Sequence, residues 1–384
     1  MPRHLYKYYL GLLAASAPLA TDMYLPAIPR LAQQWGAPTS TVNLSLVLWF
    51  VAYSVTLLVW GTVSDRFGRR PILLWGLSLF VATSVLCALS QDVTQLILAR
   101  VLQGVAAAGG ASMVMAIARD RFGGHERKQV LAWIAVILGF APMIAPSIGS
   151  AILQYGDWRL IFLMQAALGG LSLALTLLLY QETATNLDRS NVRGMVARYG
   201  RLAQNRNYLL ANGATGLLAA PLLGFVAFSP IAFIVHFSMT EQQFGLAFGA
   251  NALCVIAGSF ICSQLVGRFS DRRMLVTAFV GCAIGGLLLL AVGQSTWMLF
   301  SAAMAVYSFG FGLSRPLVNH LVLEQVDRDF GAASSGIVCC QFLCGAAGMA
   351  IATQDWPNQF LAFGVMAAVC PLITLSLWPL ICNK

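Results

Sequence analysis

The chain has 384 residues, of which 59% are hydrophobic and only 10% charged, and its mean hydropathy is +0.76. So little charge excludes a soluble globular domain and gives an integral membrane protein. The net charge of +9 does not call for nucleic acid, because the basic residues collect in short connections between apolar runs, where positive charge sets membrane orientation.

Apolar runs of about 20 residues, enough to cross ~30 Å of hydrocarbon, recur along the whole chain and predict twelve spans. In the first half they cover 5–28, 42–63, 72–89, 95–118, 129–153 and 158–180; in the second, 208–236, 244–266, 274–292, 297–320, 332–353 and 359–382. The fold class is therefore an all-α polytopic membrane protein of two six-helix bundles, residues 1–182 and 207–384, joined by a polar linker, 183–206. Placing alternate connections inside the cell puts every Lys and Arg there except Arg30, Arg100, Arg159 and Arg315, with both termini cytoplasmic. No cleavable leader is expected; the first span serves as its own insertion signal.

The first span contains Asp22, in Thr21-Asp22-Met23-Tyr24-Leu25-Pro26, the one acid that these boundaries leave within a membrane helix. A carboxylate there is costly to keep charged, which makes Asp22 a candidate proton carrier; the alternative is an Asp at headgroup level, because Pro26 and Pro29 can end the helix. Between the second and third spans lies a charged knot, Gly61-Thr-Val-Ser-Asp65-Arg66-Phe-Gly68-Arg69-Arg70-Pro71, expected to be a sharp cytoplasmic turn. In the fourth span, Arg100 lies at a depth comparable with Asp22, and the two are expected to exchange a proton for an ion pair; alternatively Arg100 snorkels to the outer interface and Gln103 bonds a neighbouring helix. The fifth span carries Gly139, Pro142, Pro146 and Gly149, prolines that bend a helix among small residues that allow close contact.

The linker's Arg189, Arg193, Arg198, Arg201 and Arg206 suit either an amphipathic helix on anionic headgroups or a solvated segment. In the second half, Gly267-Arg-Phe-Ser-Asp271-Arg272 repeats Gly61-Thr-Val-Ser-Asp65-Arg66 weakly, without the Gly-Arg-Arg tail. Arg315 in the tenth span is either a cavity residue or an inner-headgroup one. Tyr24, Trp49, Tyr53, Trp133 and Phe140, with Phe225, Phe228 and Phe309, are candidate stacking surfaces for a substrate, although most aromatics in such helices face lipid or one another.

The pattern G-x-x-x-D-R-x-G-R-R resembles the signature loop of the major facilitator superfamily, complete at its key positions. The resemblance implies a gating loop made of Gly61, Asp65, Arg66, Gly68, Arg69 and Arg70, with Asp65 gripping the helix that begins near Gly331, and a substrate site between the halves near mid-membrane. The stretch from Leu96 through Arg100 and Gln103 resembles the family's fourth-helix motif, whose arginine is linked to proton coupling. The fifth-helix pattern resembles the glycine-proline motif of antiporters, with Ser150 in place of its final Gly. Together with the run from Thr21 to Pro29, these segments are similar to the Bcr/CflA (bicyclomycin and chloramphenicol resistance) branch of twelve-helix drug:proton antiporters. The likeness is strongest from Asp22 to Arg159 and thin in the second half.

That resemblance implies a monomeric antiporter of a bacterial inner membrane, exporting small amphipathic molecules such as amphenicols or lipophilic cations by alternating access. It would be driven by the proton gradient with no cofactor, and its partners would be substrate, protons and the bilayer. Tyr24, Trp49, Tyr53, Gln103, Trp133, Phe140, Phe225, Phe228, Phe309 and Arg315 are then its expected cavity residues. Export of an endogenous metabolite or siderophore, and proton-coupled uptake or uniport on the same fold, remain open. An ATP-driven pump is excluded within the chain, since Lys7, Lys128 and Lys384 form no P-loop. No enzyme is expected, there being no G-x-S-x-G, no H-E-x-x-H and no acid cluster. Nor is a metal site, given four scattered histidines and nine cysteines that read as small apolar side chains.

Overall fold

A computed structural model describes residues 3–184 and 192–382, with side chains at 5–184 and 197–380. Arg189, Lys384 and the side chains of Arg3 and Arg193 lie outside the described residues. The chain divides into two compact units, Met1–Met195 and Val196–Lys384.

The first unit contains α1 (Arg3–Asp22), a 3₁₀ turn (Leu25–Ala27), α2 (Ile28–Trp35), α3 (Thr39–Phe67), α4 (Arg69–Leu89), α5 (Val93–Arg121), α6 (Gly124–Tyr155) and α7 (Arg159–Leu179). Next comes α8 (Val192–Gln204), whose first residues still belong to the first unit. The second unit continues with α9 (Arg206–Gly216), α10 (Ala219–Pro230), a π-helical turn (Ile231–His236), α11 (Glu241–Leu265), α12 (Asp271–Val292), α13 (Trp297–Leu323), α14 (Phe330–Thr353) and α15 (Gln359–Cys382).

Among the described residues, eleven spans are long and apolar enough to cross a membrane, counting Arg206–His236 as one. With α1, 20 residues long and bearing Lys7 and Asp22 towards its ends, the helices number twelve. Several begin where a side chain fills the orphan N–H groups of the first turn. Asp92 accepts from the Gln95 N–H at 2.9 Å before α5, and Thr240 and Gln243 form a reciprocal capping box before α11.

The two units repeat one packing plan. In the first, α3 and α4 both pack on α5, α4 packs on α7 and α1 on α6; in the second, α11 and α12 pack on α13, α12 on α15 and α10 on α14. The turn glycines give the repeat's register. Gly68, between α3 and α4, has φ +95°, and Gly267, between α11 and α12, has φ +85°. The sequence pairing of Gly61 with Gly267 is therefore out of step, because Gly61 lies inside α3 while Gly267 is in a turn.

Three boundaries differ from those expected. The first span ends at Asp22 rather than at residue 28, since Pro26 and Pro29 lack the N–H that a helix interior requires but fit the first turn of the segments that follow. The seventh is interrupted between Gly216 and Ala219 and ends in a π turn after Pro230, whose missing donor breaks the regular ladder. The charged knot is not a loop: Gly61, Asp65 and Arg66 continue α3, Arg69 and Arg70 open α4, and Gly68 alone is non-helical.

Candidate functional site

The first cluster forms around the end of α1. A helix leaves its last carbonyls without intrahelical partners and carries partial negative charge there. The Ala20 carbonyl, two residues before the end, accepts from Arg100 Nη1 at 2.9 Å and from Gln165 Nε2 at 3.2 Å. Arg100 on α5 is thus held by a helix end and not by a carboxylate. Its Nη1 also donates to Gln103 Oε1. Gln103 Nε2 in turn donates to Ser84 Oγ at 2.8 Å and to Gln165 Oε1 at 3.0 Å, linking α4, α5 and α7.

Aromatic rings close the remaining sides. The guanidinium carbon of Arg100 lies 5.1 Å from the Tyr24 ring centre, 5.5 Å from Trp49 and 5.9 Å from Phe162, distances at which a cation is attracted to a ring face. Trp49 stacks on Tyr53 at 4.9 Å, and the Tyr24 hydroxyl is 3.1 Å from Ser45 Oγ. Arg100 has no exposed surface, yet its Nε and Nη2 make no hydrogen bond. Buried guanidinium donors without acceptors are costly, and they leave a place that a carboxylate fits.

Asp22 is the last residue of α1 and is 6% exposed. Its Oδ1 accepts from the Thr21 hydroxyl at 2.8 Å. It lies within electrostatic range of Arg100, and among the described residues no ion pair joins the two. On α6, Gly149 meets the end of α1: a Cβ there would stand 2.0 Å from the Met23 carbonyl oxygen. Pro146 is buried beside it, Pro142 and Gly139 are half-buried, and Ser150 Oγ donates to the Pro146 carbonyl at 2.8 Å.

The second cluster surrounds Gly68, with Asp120 twenty residues along α5 from Arg100, roughly 30 Å away at 1.5 Å per residue. Arg69, 5% exposed, donates from Nη1 to Asp65 Oδ1 at 2.6 Å and from Nε to Asp120 Oδ2 at 3.0 Å, and Ser64 Oγ also accepts from Nη1. Glu182, after α7, caps α4: Oε1 accepts from the Arg69 N–H at 3.0 Å and Oε2 from the Arg70 N–H at 2.9 Å. Partial burial works to raise the Glu182 pKa, but the N–H groups of Ala184, Arg70, Arg69 and Thr183 outweigh it and hold the carboxyl below its usual range. Arg66 is exposed, with its guanidinium 5.3 Å from the Phe67 ring, and the space beside Gly61 is open.

The structure thus gathers Asp22, Tyr24, Trp49, Tyr53, Arg100 and Gln103 in one place and the charged knot in another. The other expected cavity residues have their own surroundings within each unit. Trp133 and Phe140 on α6 are exposed, Trp133 making an edge contact with Tyr8. Phe225 and Phe228 are buried in an aromatic core of the second unit with Phe233, Phe248, Phe300 and Phe363. On α13, Phe309 is half-buried and Arg315 is exposed. Sequence reasoning missed Phe162, Gln165, Asp120 and Glu182. Gln165 had a signal, as a lone amide within an apolar helix; the two acids looked like ordinary connection residues.

The Major Facilitator Superfamily sequence profile matches residues 10–349. An uncharacterized MFS-type transporter of Bacillus subtilis, YdgK, is 31% identical over 345 residues, covering 88% of this chain and 86% of its own. The multidrug transporter MdfA of Shigella boydii is 26% identical over 377 residues, covering 95% and 91%. Among solved structures, the nucleoside transporter NupG has a TM-score of 0.77 at 13% identity, and the xylose transporter XylE of E. coli a TM-score of 0.73 at 15%, each covering 98% of both chains. Twelve helices in two repeated units, the charged knot and these matches along nearly the whole length agree: the chain is a transporter of the Major Facilitator Superfamily.

Proposed function

We propose that the protein is a proton-coupled antiporter that exports small amphipathic molecules, neutral or singly cationic, by alternating access, and that it belongs to the Bcr/CflA branch. In this reading it works as a monomer in a bacterial inner membrane with both termini cytoplasmic, and the proton gradient is its only energy source.

One observation carries the reading: a buried acid, Asp22, ends the helix whose Ala20 carbonyl holds Arg100, and Arg100 keeps two buried donors unused. With Asp22 protonated, the helix end and Gln103 suffice to hold the guanidinium. On losing its proton, the carboxylate becomes the acceptor that Nε and Nη2 lack, so proton release and ion-pair formation are two sides of one switch. Each proton moved inward yields ~2.3 kcal/mol per 100 mV of membrane potential. The 26% identity to MdfA, a multidrug transporter by name, supports efflux as the direction.

The test is drug accumulation in cells that lack their own pumps, with and without the protein, across a panel of amphenicols and lipophilic cations. Accumulation should fall for at least one compound and recover when a protonophore is added. Unchanged accumulation of every compound, with the protein correctly inserted, would contradict export of this class.

A further inference from the structure

The second unit carries one charge that neither cluster uses. Arg315 on α13 is exposed, and among the described residues no hydrogen bond or ion pair holds it. It stands eighteen residues after Trp297 and eight before Leu323, about 27 and 12 Å along the helix axis. The polar inner end of α13 begins five residues later at His320, which pairs with Glu324 at 3.2 Å. Arg315 therefore lies at hydrocarbon depth and not among headgroups.

Its place around the helix fixes what it faces. Leu299 and Val306, exposed apolar side chains seven residues apart, mark the lipid side of α13. Arg315 follows Val306 by nine residues, two and a half turns, and so projects from the opposite side. That side packs on α11: Ser308, two turns before Arg315, donates its hydroxyl to Asn251 Oδ1 at 2.7 Å. A charge exposed at this depth, turned away from lipid, faces a water-filled recess.

The seam between α11 and α13 holds a second idle donor. Asn251 is 6% exposed, and its Nδ2 has no acceptor. Helical side chains lean toward the N-terminus of their own helix, which directs Arg315 along the seam toward Ser308 and Asn251. An idle acceptor, Asn319 Oδ1, lies one turn in the other direction. A guanidinium is a planar fork of donors that matches two oxygens borne on one atom.

We infer that Arg315 is a specificity-determining residue that receives a two-oxygen acceptor group, such as nitro or sulfonyl, on a neutral amphipathic substrate, with the Asn251 amide as a further donor. The inference rests on the export reading above and narrows its substrate class, because a fixed cation disfavours lipophilic cations.

The test is equilibrium binding to the purified full-length protein of three probes: a nitro-bearing amphenicol, its analogue with methyl in place of nitro, and tetraphenylphosphonium. The native protein should bind the nitro compound about tenfold more tightly than the methyl analogue, the size of one hydrogen bond to a charged group. Arg315→Gln should erase that preference and tighten tetraphenylphosphonium binding, opposite signs that a general loss of structure does not produce. Arg315→Lys, which keeps the charge without the fork, should retain only part of the preference. No preference in the native protein, or one that survives Arg315→Gln, would overturn the assignment, and the native comparison decides even if both variants fail to fold. The expected preference in a protein that exports nothing from cells would contradict the export reading and leave this assignment standing.

Discussion

Gly68 meets two demands that no other residue satisfies together. Its φ of +95° lies where L side chains are strained, and an added Cβ would stand 2.5 Å from Glu182 Oε2. Gly68→Ala should cost about 1–3 kcal/mol from the backbone alone and free Glu182 from α4, read as a lower thermal midpoint in detergent. Glu182 brings a pH dependence whose sign follows from its depressed pKa. Its contribution to stability is present above the ordinary carboxylate range and is lost as pH falls through the lower, folded-state value. A melting series from neutral to acid pH should therefore show a steeper acid loss in the native protein than in Glu182→Gln; parallel curves would refute the cap's role. At Arg100, a lysine keeps the charge but loses the planar fork packed among three rings. Under the proposed antiport, Arg100→Lys should lower transport about tenfold or more, equivalent to about 1.4 kcal/mol, with insertion unchanged.

At the scale of elements, α6 fixes where α1 stops. Gly149 lets the Met23 carbonyl approach so closely that Gly149→Ala must push the end of α1 away, and Asp22 and the Ala20 carbonyl move with it. This variant should lose transport while its helical content, measured by circular dichroism, stays native. The helices themselves were legible, because each needs only a long apolar run. Their breaks were less so. Pro26 and Pro29 warned that the first span ends early, but whether a proline stops a helix or begins the next depends on which N–H groups the surroundings leave idle. The charged knot looked like a loop because charge in a membrane protein suggests a connection, yet one glycine turns the chain and the flanking residues stay helical, with Asp120 answering the Arg69 charge and Glu182 capping the first N–H groups of α4.

For the whole molecule, the duplication was visible in the sequence but misaligned, since Asp271 and Asp65 share a local pattern while the turn itself is marked by the positive-φ glycines Gly68 and Gly267. Asp22 and Arg100 could be singled out because charge is rare in apolar helices. Their supports, Gln165, Ser84 and Phe162, come from other helices and have no sequence spacing to betray them. In the second unit the candidate aromatics Phe225 and Phe228 are buried among other phenylalanines, and Arg315 is an exposed charge on a membrane helix.

Substrate-induced proton release from everted membrane vesicles with an imposed acid interior tests proton-coupled export most directly, comparing the native protein with Asp22→Asn. Adding a transported amphenicol or lipophilic cation should collapse part of the gradient in native vesicles and leave it intact in Asp22→Asn vesicles. An equal collapse in both, or none in native vesicles that demonstrably bind the compound, would contradict antiport through Asp22.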